Sequence, residues 1–539
     1  MRDNRHRLTR RTIIQGSAGM GAGLAAARLT TGMPSAMAST QAEEGTRGGT
    51  LRVALVGEPP TLDEHQTTAV IVADITYAMY ETLFTYDVDY QPIPLLVDTY
   101  TPSDDGLTHT MTLREGITFH NGEPMTAADV HASVMRWSQI SGVGQNLFEA
   151  VDAFVEVDEK TVEFRLSTPF GPLLIALANN VQGCTIHPKS VIDAIGIDPF
   201  SSDDQLIGTG PYMLSERQAD AYIRMIRFED YLPREESTNG YGGARHAWVD
   251  EIEFVPVPNE ASRVAGLQAG DYELAHDISN DQYEVLSTTP GIVAEINPPA
   301  KFECFFLNWR SPIMGNLAIR EAFRAALNHE EILTASQGSS DFFVLDPGWM
   351  MQQSAWHTTA GEELYNVNDP ELAKQKLEEA GYDGTPIRFL TSQERPTYFN
   401  DSVIAQQQLE AAGFVVDLQA VDWATVFDRR SQEDQWEVFV TGHCFVPDPS
   451  QITMIGQMGT YPGWYDSDAS LALADQLLRE PDFDTAYGIW EELQHNIYTE
   501  IPAIKLGDVA IASYYSERVG GWVNQIEQGI PYWNLWLKS

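Results

Sequence analysis

Basic side chains and cysteines are scarce in this sequence. Its 539 residues include 33 lysines and arginines against 77 aspartates and glutamates, a formal net charge of −44, and only 3 cysteines. A protein that binds a nucleic-acid backbone needs a basic face, so this composition argues against that class of partner. The acidic residues are spread along the chain rather than blocked. This favours a solvated surface suited to high external salt over a patch that recruits a cationic ligand.

The three cysteines allow at most one disulfide bond. Cys304 and Cys444 both fall in expected strands, so a bridge between them is possible, but free buried thiols are the favoured alternative. These two and Cys184 are far apart in sequence, which does not indicate a cysteine metal site. None of the three lies at the expected signal cleavage position, so a lipid anchor is not expected.

Long apolar runs are absent, apart from a short one at the N-terminus. Residues 1–38 combine a basic start, an apolar stretch over Ile13–Ala27 and the cleavage pattern Ala36–Ala38, which predicts a signal peptide and a mature chain from Ser39. Thr9–Ile14 resembles a twin-arginine signal, so export to the periplasm is expected. The apolar stretch is too short to span a bilayer. Loss of six arginines and one aspartate leaves 27 basic against 76 acidic residues, a net charge of −49.

Motifs of common enzyme classes are also missing. The mature chain has no Gly-x-Ser-x-Gly nucleophile elbow and no phosphate-binding Gly-rich loop. His329–Glu331 begins like the zinc motif His-Glu-x-x-His, but Leu333 stands where the second histidine is required. His120 is interpreted as a structural histidine rather than a catalytic one. We therefore expect no catalytic residue, no metal site and no cofactor.

The most informative stretch is Thr108–Trp137. Its first third alternates apolar and polar residues, which predicts a half-buried strand, and Asn121 with Gly122 predicts a tight turn. Thr126 can cap a helix, with Asp129 answering it three residues later. The helix then carries one buried stripe, formed by Val130, Val134 and Trp137. The stretch is thus a strand, a turn and a capped helix.

The same stretch carries a family resemblance. Met111–Arg114, Phe119–Gly122 and Pro124–Val130 resemble, in order and spacing, the fingerprint of the family 5 solute-binding proteins of ABC importers, which bind peptides, nickel or opines. Gly208–Tyr212, reading Gly-Thr-Gly-Pro-Tyr, is a second motif similar to that family. The resemblance covers nearly all of residues 49–539.

Strands and helices alternate along the chain, which predicts an α/β protein. The resemblance implies a bilobal periplasmic-binding-protein fold, or flytrap, of the type II, cluster C-like class with an extra inserted domain. Hinge crossings are expected near Ala300 and Lys505, so that the lobes can close on a ligand. The implied division is a signal peptide 1–38, a disordered leader 39–48, a discontinuous domain I of 49–82, 205–300 and 505–539, an inserted domain II of 83–204, and a domain III of 301–504.

Three local predictions bear on the binding region. Residues 234–246 are polar and Gly-rich, which predicts a surface loop. Ser402–Ala412 has the pattern of a helix ended by Gly413. Core packing is favoured for Trp423 and Trp436.

The resemblance also suggests ligand contacts in the third domain. In dipeptide-binding members an arginine in a Gln-Arg-Pro phrase holds the ligand carboxylate, and Arg395 in Gln393–Pro396 is the similar residue. A surface arginine in a loop is the alternative. Those members pair the ligand ammonium with an aspartate, but alignment on Asp448 places Phe445 there. A buried ammonium would lack a partner beside Phe445, which argues against ordinary dipeptide recognition, and Asp448 either substitutes or shapes the loop.

Aromatic side chains offer a second set of contacts. Trp349 and Trp464 are expected in loops of the third domain, where they stack on a solute or pack in the core. Trp356 and Tyr461 belong to the same aromatic set. His443 is a candidate contact for a metal chelate, since nickel-binding members use a histidine.

The sequence as a whole predicts a periplasmic receptor without catalytic activity. It would capture a peptide or peptide-like small solute and deliver it to the transmembrane permease subunits of an ABC importer, and it is expected to be a monomer. An opine, an oligosaccharide or a metal chelate is the alternative cargo. A twin-arginine-exported cofactor-dependent enzyme and a chaperone-like binder of unfolded peptide are the alternative functions.

Overall fold

A computed structural model describes residues 45–523 and 529–539. The predicted signal peptide 1–38, with its twin-arginine pattern, and positions 39–44 of the predicted leader lie outside the described residues. Gly48 donates its backbone N–H to the Trp248 carbonyl at 2.9 Å, so the last leader residues lie against the folded domain. Within the described part of the chain, no helix is long and apolar enough to cross a bilayer.

The strands of the described chain are numbered in order. They are β1 Thr50–Leu55, β2 Phe84–Tyr86, β3 Pro92–Pro94, β4 Val97–Pro102, β5 Thr108–Leu113, β6 Val151–Asp158, β7 Thr161–Leu166, β8 Tyr212–Gln218, β9 Tyr222–Arg227, β10 Glu251–Pro256, β11 Leu274–Ala275, β12 Ile292–Ile296, β13 Lys301–Leu307, β14 Phe343–Val344, β15 Ile387–Thr391, β16 Val416–Ala420, β17 Val438–Cys444, β18 Ala503–Val509, β19 Ala512–Ser516, β20 Val519–Gly520 and β21 Trp536–Leu537.

The α-helices are numbered in the same way. They are α1 Val70–Thr76, α2 Ala127–Ile140, α3 Gly142–Ala150, α4 Leu173–Ala178, α5 Lys189–Ile195, α6 Glu260–Ala269, α7 Tyr283–Leu286, α8 Leu317–Ala326, α9 His329–Gln337, α10 Pro370–Glu379, α11 Pro396–Ala411, α12 Trp423–Arg430, α13 Thr453–Gly456, α14 Asp468–Arg479 and α15 Phe483–Glu500.

Two mixed sheets form the two halves of the molecule. The first has the strand order β12-β19-β11-β1-β10-β9-β8, with β1 parallel to both its neighbours. The second has the order β14-β18-β13-β17-β15-β16, with β15 parallel to β16 and β17. Between β1 and β8 the chain inserts a smaller unit with the sheet β4-β5-β7-β6 and the hairpin β2-β3. The predicted α/β class is confirmed.

The chain passes twice between the two large sheets. The first passage lies between β12 and β13, which includes the predicted crossing at Ala300. The second lies between β18, which pairs with β13, and β19, which pairs with β12. Strand pairing therefore places Lys505–Val509 with the second sheet. The division into three domains stays a prediction.

The fingerprint stretch forms as the sequence predicts. Strand β5 covers its alternating part, and Gly122 takes φ +84° in the turn. The Thr126 N–H donates to the Asp129 carboxylate at 2.8 Å at the start of α2. The stripe on that helix is fully buried, which confirms Val130, Val134 and Trp137 as core residues. These features are local, so adjacent residues suffice to specify them.

His120 joins the two family-like motifs. Its Nδ1 accepts the Gly208 N–H at 3.2 Å and its Nε2 donates to the Gly210 carbonyl at 3.0 Å. Burial lowers the pKa of His120 to about 4, so the imidazole is neutral. A Cβ on Gly210 would lie 2.6 Å from the Met79 carbonyl carbon, so this approach requires glycine. The structural interpretation of His120 is confirmed.

The cysteines form no disulfide. Cys184 and Cys304 are buried free thiols, as favoured, but Cys444 is exposed, which corrects the expectation of a buried thiol there. On β13 and β17, Cys304 lies opposite Thr441 and Cys444 lies opposite Lys301. The two thiols are therefore three positions out of register, about 10 Å along the strands.

Two further predictions are wrong in part. The helix α11 begins at Pro396, six positions before Ser402, because proline is well suited to the first helical turn. Trp436 is buried as predicted, but Trp423 is only half-buried at the start of α12.

The segment 234–246 is not the surface loop that its polarity predicts. Residues 241–245 are buried, and Tyr241 and Arg245 are among the largest fully buried side chains. Tyr241 packs on Tyr77 at 5.5 Å between ring centroids. The glycines of this segment remove side-chain bulk, so that its backbone lies against Asp87 and Ser237.

Candidate ligand-binding site

The inserted unit and the second-sheet half meet through aromatic and backbone contacts. The Tyr90 ring lies 4.6 Å from that of Phe445, and the Gly171 N–H donates to the Leu478 carbonyl at 2.8 Å. One contiguous cluster of buried apolar side chains includes members of both regions and also Trp533 from the C-terminal segment. The apolar surface where the lobes meet is therefore continuous.

The loop after β17 presents Phe445 at this meeting surface. Phe445 is 4% exposed, and its N–H donates to the Ala300 carbonyl at 2.8 Å, at the first passage between the sheets. Asp448 is buried and accepts hydrogen bonds from the Ser450 N–H and hydroxyl at 3.0 and 2.6 Å. Asp448 thus shapes the loop that presents Phe445.

His443 lies just before this loop and is held on both sides of its ring. Its Nδ1 donates to the Cys444 carbonyl at 2.9 Å, and its Nε2 accepts the Thr453 N–H at 2.9 Å. Desolvation lowers the pKa of His443, so the ring is neutral. In the described chain, no group of three histidine, cysteine or acidic side chains is placed to hold a metal ion.

Phe302 brings His443 and Trp349 together. It stacks on His443 and meets Trp349 edge-on, each at 5.4 Å between centroids. Trp349 is 2% exposed, and its backbone N–H donates to the Gln494 side chain at 2.9 Å. Among the described residues, its indole N–H has no hydrogen-bond partner.

Trp464 lines a small aromatic cavity in the second-sheet half. The cavity has a volume of only about 10 Å³ and includes Phe306, Tyr461 and Gly463 in its walls. Trp464 is half-buried, stacks on Trp436 at 5.8 Å and has a left-handed φ of +49°. Such a backbone is unfavourable for a bulky residue and is retained where the surroundings impose it.

Arg395 contacts a different tryptophan, Trp423. It is exposed at the N-terminal end of α11, and its guanidinium lies 5.4 Å from the ring centroid of Trp423. The structure therefore places Phe445 and Asp448 on one loop, with His443 on the strand just before it and Trp349 joined to His443 through Phe302. Arg395 is exposed beside Trp423. The six ligand assignments themselves stay predictions.

A polar cavity between the first-sheet domain and the inserted unit was missed by sequence reasoning. Its walls include Glu64, Tyr77, Glu81, Asn180 and Arg245. The centre of a water-sized group can occupy a volume of about 20 Å³ in this cavity. On the same measure, one water molecule needs about 10–15 Å³. It therefore has room for a functional group rather than for a whole solute.

Glu64 gives this cavity a group that titrates near neutral pH. Burial raises the pKa of Glu64 to about 7, against the effect of hydrogen bonds from the Thr76 hydroxyl and from backbone N–H groups. One of these is the Gln182 N–H, which lies 3.1 Å from Oε1. The carboxyl is therefore held in place and shifts between neutral and charged forms over the neutral range.

Arg245 is a positively charged side chain in the same cavity wall as Glu64 and Glu81. Its Nε and Nη2 donate to the Tyr241 carbonyl at 3.1 and 2.8 Å, and the guanidinium lies 4.1 Å from the Trp533 ring centroid. Its Nη1 lies 3.6 Å from Glu81 Oε1, too far for a hydrogen bond. Glu81 already accepts from the hydroxyls of Thr209 and Tyr231, each at 2.9 Å.

A buried ion cluster lies on the last strand of the second sheet. The Lys505 ammonium is fully buried and lies 2.6 Å from Asp508 Oδ1. Burial raises the pKa of Asp508 to about 6, against the effect of Lys505. The lysine ammonium also donates to the Gly348 carbonyl, next to Trp349. This cluster ties the strand before the second passage to the Trp349 loop.

Comparisons with known proteins agree with this arrangement. The model of bacterial extracellular solute-binding proteins, family 5, matches residues 91–465. A probable peptide ABC transporter periplasmic-binding protein, y4tO of Sinorhizobium fredii, is 28% identical over 484 residues, covering 85% of this chain and 88% of that protein. The glutathione-binding protein GsiB of Salmonella typhi is 26% identical over 508 residues, covering 89% and 92%.

A solved structure confirms the fold. The ABC transporter substrate-binding protein CtaP of Listeria monocytogenes superposes with a TM-score of 0.79 at 21% identity, covering 92% of this chain and 100% of that chain. The predicted bilobal periplasmic-binding-protein fold is thus confirmed. Because the family model spans more than half of the sequence, the chain belongs to the bacterial extracellular solute-binding proteins of family 5.

Proposed function

We propose that this protein is the solute receptor of an ABC importer. It captures a peptide or peptide-like small solute between its two lobes and delivers it to the transmembrane permease subunits. The single observation that carries the proposal is the continuous apolar surface where the lobes meet, closed by Tyr90 and Phe445 and bordered by a polar cavity. An apolar contact region with a few polar groups beside it is typical of small-solute sites.

Phe445 limits which peptides fit. It is buried against Tyr90, so a ligand ammonium placed there would lose its hydration and gain no charged partner. Trp349 and Trp464 supply large apolar surfaces instead, which suit aromatic or aliphatic side chains. The solute is therefore a peptide held mainly by its side chains and its carboxyl end. Asp448 and His443 act by holding the loop, and Arg395 serves as an outer contact.

The cellular setting follows from the family and the N-terminus. Proteins of this family work outside the cytoplasm, and the signal pattern of residues 1–38 supports export through the twin-arginine route without a lipid anchor. The receptor acts as a monomer, binds no cofactor and has no catalytic activity. The names of the relatives y4tO and GsiB, which refer to a peptide and to glutathione, support the choice of cargo.

The test is ligand identification followed by thermal shift. Mass spectrometry of what co-purifies with the protein should find a peptide or a peptide-like compound. The same compound should raise the melting temperature, since a hundredfold excess over Kd adds about 2.7 kcal/mol of stability. A shift with an opine or an oligosaccharide and with no peptide would contradict the proposed cargo. A bound chromophore in the visible absorption spectrum would instead favour a cofactor enzyme.

A further inference from the structure

Two buried hydrogen-bond donors lie side by side, and one of them, Arg245, is in the wall of the polar cavity. Arg245 and Trp533 are each 1% exposed, and the guanidinium carbon lies 4.1 Å from the indole centroid. Among the described residues, neither Arg245 Nη1 nor Trp533 Nε1 has a hydrogen-bond partner. Both side chains can only donate. Leaving such a donor buried and unsatisfied costs about 1–3 kcal/mol, and more for a charged group.

The position of Arg245 Nη1 is fixed by the rest of its guanidinium. Nε and Nη2 both donate to the Tyr241 carbonyl, which leaves Nη1 on the side of Glu81. Glu81 and Arg245 both line the cavity, so this pair of side chains forms part of its wall. Glu81 offsets the positive charge of Arg245 but, at 3.6 Å, does not accept its hydrogen bond.

Trp533 connects this pair of donors to the meeting surface of the lobes. It belongs to the same apolar cluster as Phe445 and Trp349. Its ring lies 5.7 Å from that of Tyr77, which lines the polar cavity. Trp533 thus contacts both the apolar cluster and a wall residue of the polar cavity.

We propose that Arg245 and Trp533 bind a carboxylate of the captured solute, one oxygen accepting from Arg245 Nη1 and the carboxylate also accepting from Trp533 Nε1. This assignment rests on the proposed function and names the group that the receptor recognises. A carboxylate offers about four acceptor positions and no donor, which matches two donors that lack acceptors. Its hydrogen bonds to a guanidinium are about twice as strong as neutral ones. The cavity has room for a group of this size.

The test compares free acids with amides on matched variants. The probes are the tripeptide Ala-Phe-Ala and glutathione, each as the free acid and with its carboxylates amidated, titrated by calorimetry. The wild-type protein should bind the free acid about 10–100-fold more tightly than the amide, the range expected for hydrogen bonds to a charged group. Trp533→Phe keeps the ring and removes the N–H, so it should weaken acid binding about fivefold and leave amide binding unchanged.

A second variant and two controls keep the result interpretable. Arg245→Lys keeps the charge beside Glu81 but loses the planar fork, and it should reduce the preference for the acid. Trp490→Phe removes an indole N–H that already donates to the Trp356 carbonyl at 2.9 Å, so it should leave the ratio of acid to amide affinity unchanged. Arg395→Lys tests the exposed arginine by the same ratio.

Each outcome decides between the two levels of the account. Equal affinity for acid and amide would overturn the carboxylate assignment while the peptide receptor function stands. An acid preference that survives both Trp533→Phe and Arg245→Lys but is lost in Arg395→Lys would move the carboxylate to Arg395 and overturn the proposal. Binding of none of the probes would overturn the proposed peptide cargo together with this assignment.

Discussion

Arg245 and Arg395 each lie over a tryptophan, but in very different surroundings. Arg245 is buried over Trp533, with its guanidinium fixed by a backbone carbonyl and its Nη1 without a hydrogen-bond partner among the described residues. Arg395 is exposed over Trp423 at the start of α11. Only Arg395 stands in a motif that resembles a known ligand contact. A motif therefore locates a residue type, whereas burial and unsatisfied donors indicate what the residue does.

The largest expected effect is the loss of stability when the buried Arg245 is removed, compared with removal of the exposed Arg395. Arg245→Met should lower the free energy of unfolding by about 3–5 kcal/mol, because Glu81 would keep its buried charge without a counter-ion. Arg395→Met should cost less than about 1 kcal/mol, the usual worth of an exposed contact with an aromatic ring. Urea denaturation of both variants measures the difference. Similar losses in the two variants would show that the buried Arg245 contributes no more to stability than the exposed Arg395.

The next effect is a pH dependence specific to the buried region. Burial raises the pKa of Glu64 to about 7, so its protonated form is favoured in the folded state. Its stabilising contribution is complete below the ordinary glutamate pKa of about 4.3 and is lost as the pH rises to about 7. The loss is on the order of 3 kcal/mol. Near Arg395, the hydrogen bond from the Thr425 hydroxyl lowers the pKa of the exposed Asp422. The contribution of Asp422 to stability is therefore lost as the pH falls, the opposite of the direction for Glu64.

The substitution Glu64→Gln isolates the contribution of Glu64 to the pH dependence of stability. Relative to the wild type, the variant should gain stability as the pH rises from 4.5 to 7.5, because the amide does not ionise. Chemical denaturation at both pH values measures it, and Asp422→Asn serves as the exposed counterpart. A constant difference between Glu64→Gln and the wild type across that range would show that Glu64 is not held neutral by burial.

The smallest effect concerns the backbone of the Arg245 segment. Gly243 has φ +70°, and an added Cβ would lie 2.1 Å from the Ser237 carbonyl oxygen. Gly243→Ala should therefore cost about 2–3 kcal/mol, the sum of overpacking and an unfavourable φ. Gly384 has φ +85° but no atom within 4 Å of its added Cβ, so Gly384→Ala should cost only about 1 kcal/mol. Thermal unfolding of the two variants measures this difference. Equal losses in Gly243→Ala and Gly384→Ala would show that the segment around Gly243 is not tightly packed.

Sequence reasoning succeeded where structure is specified by neighbouring residues. The strand β5, the Gly122 turn and the capped start of α2 follow from alternation, turn chemistry and capping over some thirty residues. Such features need no knowledge of the rest of the fold.

Sequence reasoning failed where the residues that contact each other are distant in the chain. Arg245 becomes a buried residue only because Glu81 and Trp533 come together around it, although they lie far from it in sequence. The polarity of 234–246 predicts a surface loop because a sequence pattern does not show such compensation. One signal was present: Tyr241 beside a pair of glycines is unusual in a solvated loop and points to close packing. The exposed Cys444 depends in the same way on the register between β13 and β17.

The most direct test of the account is a crystal structure of the protein with Ala-Phe-Ala or glutathione bound. The account predicts that the solute lies between the lobes against Phe445, with a carboxylate oxygen within about 3.2 Å of both Arg245 Nη1 and Trp533 Nε1. A solute whose carboxylate contacts Arg395 while both buried donors stay unsatisfied would contradict it.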